Sequence, residues 1–186
     1  MAPRVKVTRD EIISTAIELV REGGEYSLNA RAVASRLGCS TQPVFSNFLS
    51  MTELRQAVAD AAYGRYLSFL EREASEGKYP AYKAYGMAYV RFAKEESELF
   101  KLLFMCDRGG KPMDETRDYS ESVDMIMKAN GVSRESASHM HLEIWCAVHG
   151  IATMTATSFL SFSEEEISRI LTDVYQGVRR AHSKED

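Results

Sequence analysis

Proline is scarce. Four in 186 residues, at Pro3, Pro43, Pro80 and Pro112, leave long intervals in which nothing forbids a helix. Cysteine is scarce as well, and Cys39, Cys106 and Cys146 are odd in number and unrelated in spacing, which fits neither a disulfide framework nor a zinc site. No apolar run reaches the roughly eighteen residues of a membrane span. The N-terminus enters charged, periodic sequence without an apolar h-region, so export and membrane insertion are not expected and a cytoplasmic setting is. A glycine-rich phosphate loop, a nucleophile elbow and a paired-carboxylate arrangement are all missing, so neither enzymatic activity nor a cofactor is expected. His139 and His141 point to different faces of a helix, while His139 with Glu143 and Cys146 with His149 share faces but lack a third ligand. No metal is expected. Cys106, beside Arg108, reads either as a redox thiol or as inert core.

What is present is an ordinary globular mixture, 45% hydrophobic and 27% charged, ample for a core without metal or disulfide support. Apolar residues recur at helical spacing over about Thr8–Glu22, Asn29–Leu37, Gln42–Phe48, Thr52–Ser75, Ala81–Lys94, Ser97–Met105, Thr116–Ala129, Arg134–Leu160 and Glu164–Ala181. An all-α fold follows, with a short-helix domain over residues 1–53 joined by a long helix to a second helical domain over 54–186. Thr8 with Glu11 forms the pattern of a capping box, and Gly23-Gly24 stops the first helix. Tyr26 and Leu28 are expected to return the chain to the core, Ser50 or Thr52 to cap the long helix, and Asp107–Pro112 to form a loop.

The net charge of −4 argues against a nucleic-acid partner until its distribution is considered. Arg4, Lys6 and Arg9 lie in an arm without an acid, and Ser27–Met51 carries Arg31 and Arg36 with neither Asp nor Glu. Phosphate contact requires such a local footprint, because nearby carboxylates would be repelled. Residues Ala30–Phe48 also meet the steric demands of a helix-turn-helix. Ala34 is small where two helices cross, Gly38 supplies the turn, and Val33, Leu37, Cys39 and Val44 pin the pair.

This segment resembles the N-terminal domain of the TetR family of bacterial regulators over roughly residues 8–60. The family's run G-V-S-x-x-x-[LIV]-Y-x-[HY]-F-x-S-K-x-x-L is matched in register by Gly38-Cys39-Ser40, Val44-Phe45-Ser46-Asn47-Phe48 and Ser50-Met51-Thr52-Glu53-Leu54. Phe45 stands in place of the tyrosine, Asn47 of the histidine or tyrosine, and Met51 of the lysine, each removing a phosphate donor or a charge. The resemblance implies that the helix from Gln42 enters the major groove of an operator. Thr41, Gln42, Pro43, Ser46 and Asn47 would then approach base edges, with Gln42 suited to adenine and Pro43 or the Thr41 methyl to a thymine methyl group. Arg4, Lys6 and Arg9, with Ser27, Asn29, Ser40 and Thr52 near helix N-termini, are the expected phosphate contacts, the Ser, Thr and Asn residues serving equally well as plain caps.

Trp145-Cys146-Ala147-Val148-His149-Gly150 resembles the W-x-x-x-H-G motif of one TetR C-terminal subgroup. The resemblance implies a homodimer built from the last two helices, with Ile144, Val148, Ile151, Ile167, Ile170, Leu171, Val174 and Val178 at the interface, and a pseudo-palindromic operator on double-stranded DNA. The same residues would also suit a monomer core. A pocket for a small apolar effector is expected among Met87, Phe92, Phe100, Phe104, Tyr119, Met125, Trp145 and His149, though aromatic and methionine side chains serve equally as core. The function implied is a ligand-responsive repressor. Its rival is a helical ligand-binding or interaction module whose DNA reader has degraded at positions 45, 47 and 51.

Overall fold

Thr8 caps the first helix by closing the capping box. Its hydroxyl accepts from the Glu11 amide at 3.2 Å, and the Glu11 carboxylate accepts from the Thr8 amide at 2.8 Å. The computed structural model describes residues 7–107 and 117–182. Nine α-helices and a single 3-10 turn, with no strand, make up the described residues. They are α1 (Arg9–Gly23), α2 (Ala30–Arg36), α3 (Gln42–Asn47), α4 (Met51–Ser75), α5 (Ala81–Glu95), α6 (Ser97–Phe104), α7 (Arg117–Asn130), α8 (Arg134–Ala156) and α9 (Glu164–His182). Arg4 and Lys6, and the expected loop beyond Asp107, lie outside the described residues.

Two compact units form: Met1–Arg65 with Glu96–Cys106, and Tyr66–Glu95 with Asp107–Asp186. Helix α4, expected to join a domain over 1–53 to one over 54–186, runs unbroken to Ser75. In the first unit α1 packs on α2, α3 and α6, burying Ile12, Ala16 and Val20 against a core that holds Val33, Val44, Phe48, Leu99 and Phe100. Gly24, at φ 71°, ends α1 by donating its amide to the Val20 carbonyl at 2.8 Å. Gly38, at φ 65°, makes the turn between α2 and α3, a conformation cheap for glycine alone. Leu28 reaches the core as expected. Tyr26 does not: the 3-10 turn Glu25–Ser27 turns it wholly into solvent.

Glu96, between α5 and α6, is only 5% exposed. A buried carboxylate demands charged partners. Arg21 Nε donates to one of its oxygens at 2.7 Å and Arg65 Nε to the other at 2.8 Å, tying α1, α4 and the start of α6 together within the first unit.

In the second unit α5 packs against α7, α8 and α9, and α8 against α7 and α9. Gly86 lets α5 approach this closely, since a Cβ there would stand 2.8 Å from Leu171 Cδ2. Ile144, Val148, Ile151, Ile167 and Leu171, expected at a dimer interface, are buried inside this unit, and Val178 packs on the cluster of Val123, Ile126, Ala137 and Met140. Their apolar faces close the chain's own core. Ile170 and Val174 are half-buried. Helix α8 also stops at Ala156 rather than Leu160. The Thr155 and Thr157 hydroxyls bond back to the carbonyls of Ile151 and Thr153, both at 2.8 Å, and Ser158 turns left-handed at φ 56°. Phe159 and Leu160 are left exposed.

Candidate nucleic-acid interface and ligand cavity

Asn29 caps α2 by accepting from the Ala32 amide at 3.0 Å, and Cys39 N donates to Ala34 O at 3.0 Å across the tight turn that delivers α3. Gln42, Phe45 and Ser46 are exposed, and their i, i+3, i+4 spacing places them on one face of α3, while Val44 and Phe48 point inward. Thr41 and Pro43 are half-buried at its start. Ser46 Oγ donates to the Gln42 carbonyl at 2.9 Å, and the Asn47 amide to the Pro43 carbonyl at 2.8 Å.

Several expected phosphate contacts are engaged within the fold. Arg9 donates to the Asn47 carbonyl at 2.7 Å and to Glu53 at 3.0 Å, and its guanidinium lies 4.0 Å over the Phe48 ring. The Leu49 amide and then Arg9 hold the Glu53 carboxyl below the usual carboxylate range. Ser27 Oγ bonds the carbonyls of Leu19 and Gly24, each at 2.6 Å. Ser50, not Thr52, caps α4, accepting from the Glu53 amide at 3.2 Å. Ser40 and Thr52 are exposed. Arg36 pairs with Glu22, whereas Arg31 on α2 is exposed and, among the described residues, has no carboxylate within ion-pair distance. The sequence placed Arg31 in the acid-free segment without assigning it a contact; that no described carboxylate pairs with it is a tertiary fact.

A cavity of about 730 Å³ lies wholly within the second unit. Tyr66 of α4, Tyr82, Tyr85 and Tyr89 of α5, Asp118, Tyr119 and Met125 of α7, His141, Ile144, Trp145 and Val148 of α8, and Leu171 and Tyr175 of α9 form most of its wall. The tyrosine hydroxyls are bonded to neighbouring side chains, two of which, His141 and Asp118, also line the cavity. Tyr82 and His141 Nδ1 share a 2.9 Å hydrogen bond, as do Tyr89 and His149 Nδ1. Tyr85 donates to Glu121 at 2.8 Å and Tyr66 to Asp118 at 3.2 Å. Burial pushes the Tyr82 and Tyr89 hydroxyls up and His149 down, and lowers His141 to about 4 against the opposing pull of Asp118. Burial thus favours the uncharged form of all four groups.

Of the side chains expected to line a pocket, Tyr119, Met125 and Trp145 do so. His149 stands one layer back, stacked on Trp145 at 4.6 Å between centroids, which gives the W-x-x-x-H spacing a physical basis. Met87 and Phe92 are buried but not part of the wall, and Phe100 and Phe104, 5.3 Å apart between centroids, belong to the first unit. Tyr82, Tyr85 and Tyr89 were not singled out from the sequence, though their i, i+3, i+7 spacing along α5 is the signal that could have found them; nothing in the sequence singled out Asp118.

The family described as "Tetracyclin repressor-like, C-terminal domain" matches residues 82–176, slightly more than half of the protein. The chain belongs to this TetR-like family. A curated relative, an uncharacterized HTH-type transcriptional regulator of Mycobacterium tuberculosis, is 23% identical over 178 residues, spanning 94% of this chain and 81% of the relative. Among solved structures, a protein of unknown function from Rhodococcus sp. RHA1 superposes with a TM-score of 0.73 at 21% identity, over 97% of this chain and 98% of that one. A TetR-like transcriptional regulator from the same organism gives 0.67 at 14% identity over 95% and 97%. A TetR variant from Acinetobacter baumannii AYE, solved with minocycline, gives 0.60 at 17% identity over 95% and 99%. These likenesses establish a common all-helical fold. Among the described residues of the TetR-like chain no helix is long and apolar enough to cross a membrane, and no three His, Cys, Asp or Glu side chains are grouped to hold a metal ion.

Proposed function

We propose that this TetR-like chain is a cytoplasmic, ligand-responsive transcriptional repressor that binds a pseudo-palindromic operator as a homodimer and leaves it when a small, largely apolar effector fills the cavity. One observation carries the reading: a single chain holds both a helix-turn-helix whose α3 exposes Gln42 and Ser46 and an aromatic-walled cavity of about 730 Å³. The volume lies within the range of small-molecule sites.

The chain path supports the coupling. Helix α4 runs without interruption from Met51, beside the reader, to Tyr66 on the cavity wall, and α5 of that wall leads through Glu96 directly into α6. An effector that binds one conformational state more tightly than the other shifts the population toward it, and operator affinity changes by the same coupling free energy. With Ile144, Val148 and Leu171 turned inward, the dimer contact falls to the outward surface of α8 and α9, where Leu142 is exposed. Gln42 reads adenine through its amide, and Arg31 joins the N-terminal arm in holding phosphate.

The test is binding of the purified protein to DNA flanking its own gene. Affinity is expected to fall steeply with salt, and genome-wide binding of the tagged protein to recover the same site. Gln42→Ala is expected to remove about 1–3 kcal/mol of base discrimination at one position of the operator while preserving the salt slope. Unchanged discrimination would remove Gln42 from the readout. Weak, sequence-independent binding to every fragment would favour an interaction module instead, a reading to which exposed Phe45 and Leu49 and the internally engaged Arg9 lend support.

A further inference from the structure

We propose that the cavity recognises a neutral carbonyl group on an aromatic effector, with the His141 Nε2–H as its hydrogen-bond donor and the Ser122 hydroxyl as a second. The inference rests on the reading of this cavity as the effector site. Both side chains belong to the wall, and both are more than nine-tenths buried, His141 at 7% and Ser122 at 5% exposure. Neither His141 Nε2 nor Ser122 Oγ has a hydrogen-bond partner among the described residues, where the only side-chain atoms both sealed from accessible surface and without a hydrogen bond are the two Glu73 oxygens. Nε2 and Oγ therefore keep accessible surface. In wall residues buried to this degree, that surface is the cavity.

Tyr82 makes Nε2 the donor. Its hydroxyl and His141 Nδ1 are 2.9 Å apart, and among the described residues the hydroxyl has no other acceptor. Pointing an Nδ1–H at Tyr82 instead would leave the phenol proton without an acceptor, a costly arrangement away from water. Tyr82 thus donates to Nδ1, and because burial favours the neutral imidazole, the one ring proton sits on Nε2. Tyr119, one helical turn before Ser122 on α7, meets the His141 ring edge-on at 5.1 Å, so the two donors stand in the same part of the wall. A carbonyl oxygen has two lone pairs and accepts from both. The buried residues around them, Tyr66, Tyr89, Ile144, Val148 and Leu171, bear no charge to compensate an ionised ligand group. The rings of Tyr82, Tyr119 and Trp145 suit an aromatic body.

Benzophenone and diphenylmethane share a two-ring skeleton and differ by one carbonyl, and equilibrium dialysis against the full chain without DNA measures both. A wall with no donor favours the hydrocarbon, because the ketone gives up its hydrogen bonds to water. Benzophenone is instead expected to bind about threefold more tightly or better. His141→Phe, which keeps a ring and removes the donor, is expected to reverse the order, and Ser122→Ala to narrow the preference without reversing it. Equal affinities, tighter diphenylmethane or no binding of either by the native chain overturns the proposal. A preference that survives His141→Phe overturns it too and assigns recognition to the wall lysines, Lys83 and Lys128. The native comparison needs no variant, so a folding defect in His141→Phe leaves the test intact. Irradiation couples the carbonyl carbon of bound benzophenone to a neighbouring C–H, the hydrogen passing to its oxygen. Attachment on α7 near Ser122 or on α8 near His141 is expected; attachment confined to the exposed wall residues Pro80, Ala81, Lys128 and Ala129 is the contrary result. DNA binding is measured separately. A His141-dependent ketone preference in a protein that binds no DNA upholds this inference and removes the regulator reading; specific operator binding with no ketone preference does the reverse.

Discussion

Replacing Phe100 by alanine is expected to lower the stability of the first unit, which carries the helix-turn-helix, by about 3–5 kcal/mol, the cost of emptying a buried aromatic site. Phe100 lies some fifty residues beyond the helix-turn-helix, in α6, yet it is fully buried in the unit that contains α1. Leu99 beside it is equally buried, and Glu96 just before α6 is held by Arg21 of α1. A loss of this size is a large share of the margin by which a small unit stays folded. Urea unfolding should show a lowered midpoint, with operator binding reduced in proportion to the unfolded fraction. Phe104, half-buried in the same helix, is the comparison, and Phe104→Ala should cost distinctly less. Were Phe100→Ala to spare operator binding and reader stability while abolishing effector binding, α6 would belong functionally with the cavity.

The second large effect is acid destabilisation through His141. This side chain is 7% exposed, and burial lowers its pKa to about 4, against about 6.5 in an unfolded chain. Between those values the unfolded state binds more protons than the folded one. Stability is therefore full above about pH 6.5 and falls as pH drops toward 4. At about 1.4 kcal/mol per pH unit, the whole window is worth about 3 kcal/mol. Unfolding measured at pH 7 and pH 4.5 should show most of this difference in the native chain. His141→Gln, which cannot titrate, should begin less stable at pH 7 because the Tyr82 hydrogen bond changes, and then lose much less on acidification. An identical pH slope in both proteins would place the acid sensitivity elsewhere.

Local chemistry made much of the reader legible. Thr8 and Glu11 mark the start of α1 through bonds spanning three residues, Gly38 marks a turn that demands a positive φ, and Asn29 marks the cap of α2. Each signal lies within a few residues of its effect. Tyr26 misled because its apolar ring suggested burial, whereas the 3-10 turn aims it at solvent. The end of α8 was missed because back-bonding by Thr155 and Thr157 stops a helix without proline or glycine.

Helical periodicity says that a face is covered, not what covers it. The apolar stripes of α8 and α9 read as a dimer seam, with a monomer core as the alternative, and only tertiary packing turned Ile144, Val148 and Leu171 inward. The aromatics of α6 read as pocket wall and lie in the first unit instead, with Phe100 buried there and Phe104 half-buried. Asp118 had no local motif, and it matters only because Tyr66, fifty-two residues earlier, meets it at the cavity wall. The sequence by itself determined the helices, the turn of the reader and the exposed Gln42 face, because those depend on neighbours along the chain. Tertiary structure alone decided where α6 packs, which phosphate-contact candidates are already occupied and that six tyrosines and a carboxylate share one cavity, because those depend on residues that meet only after folding.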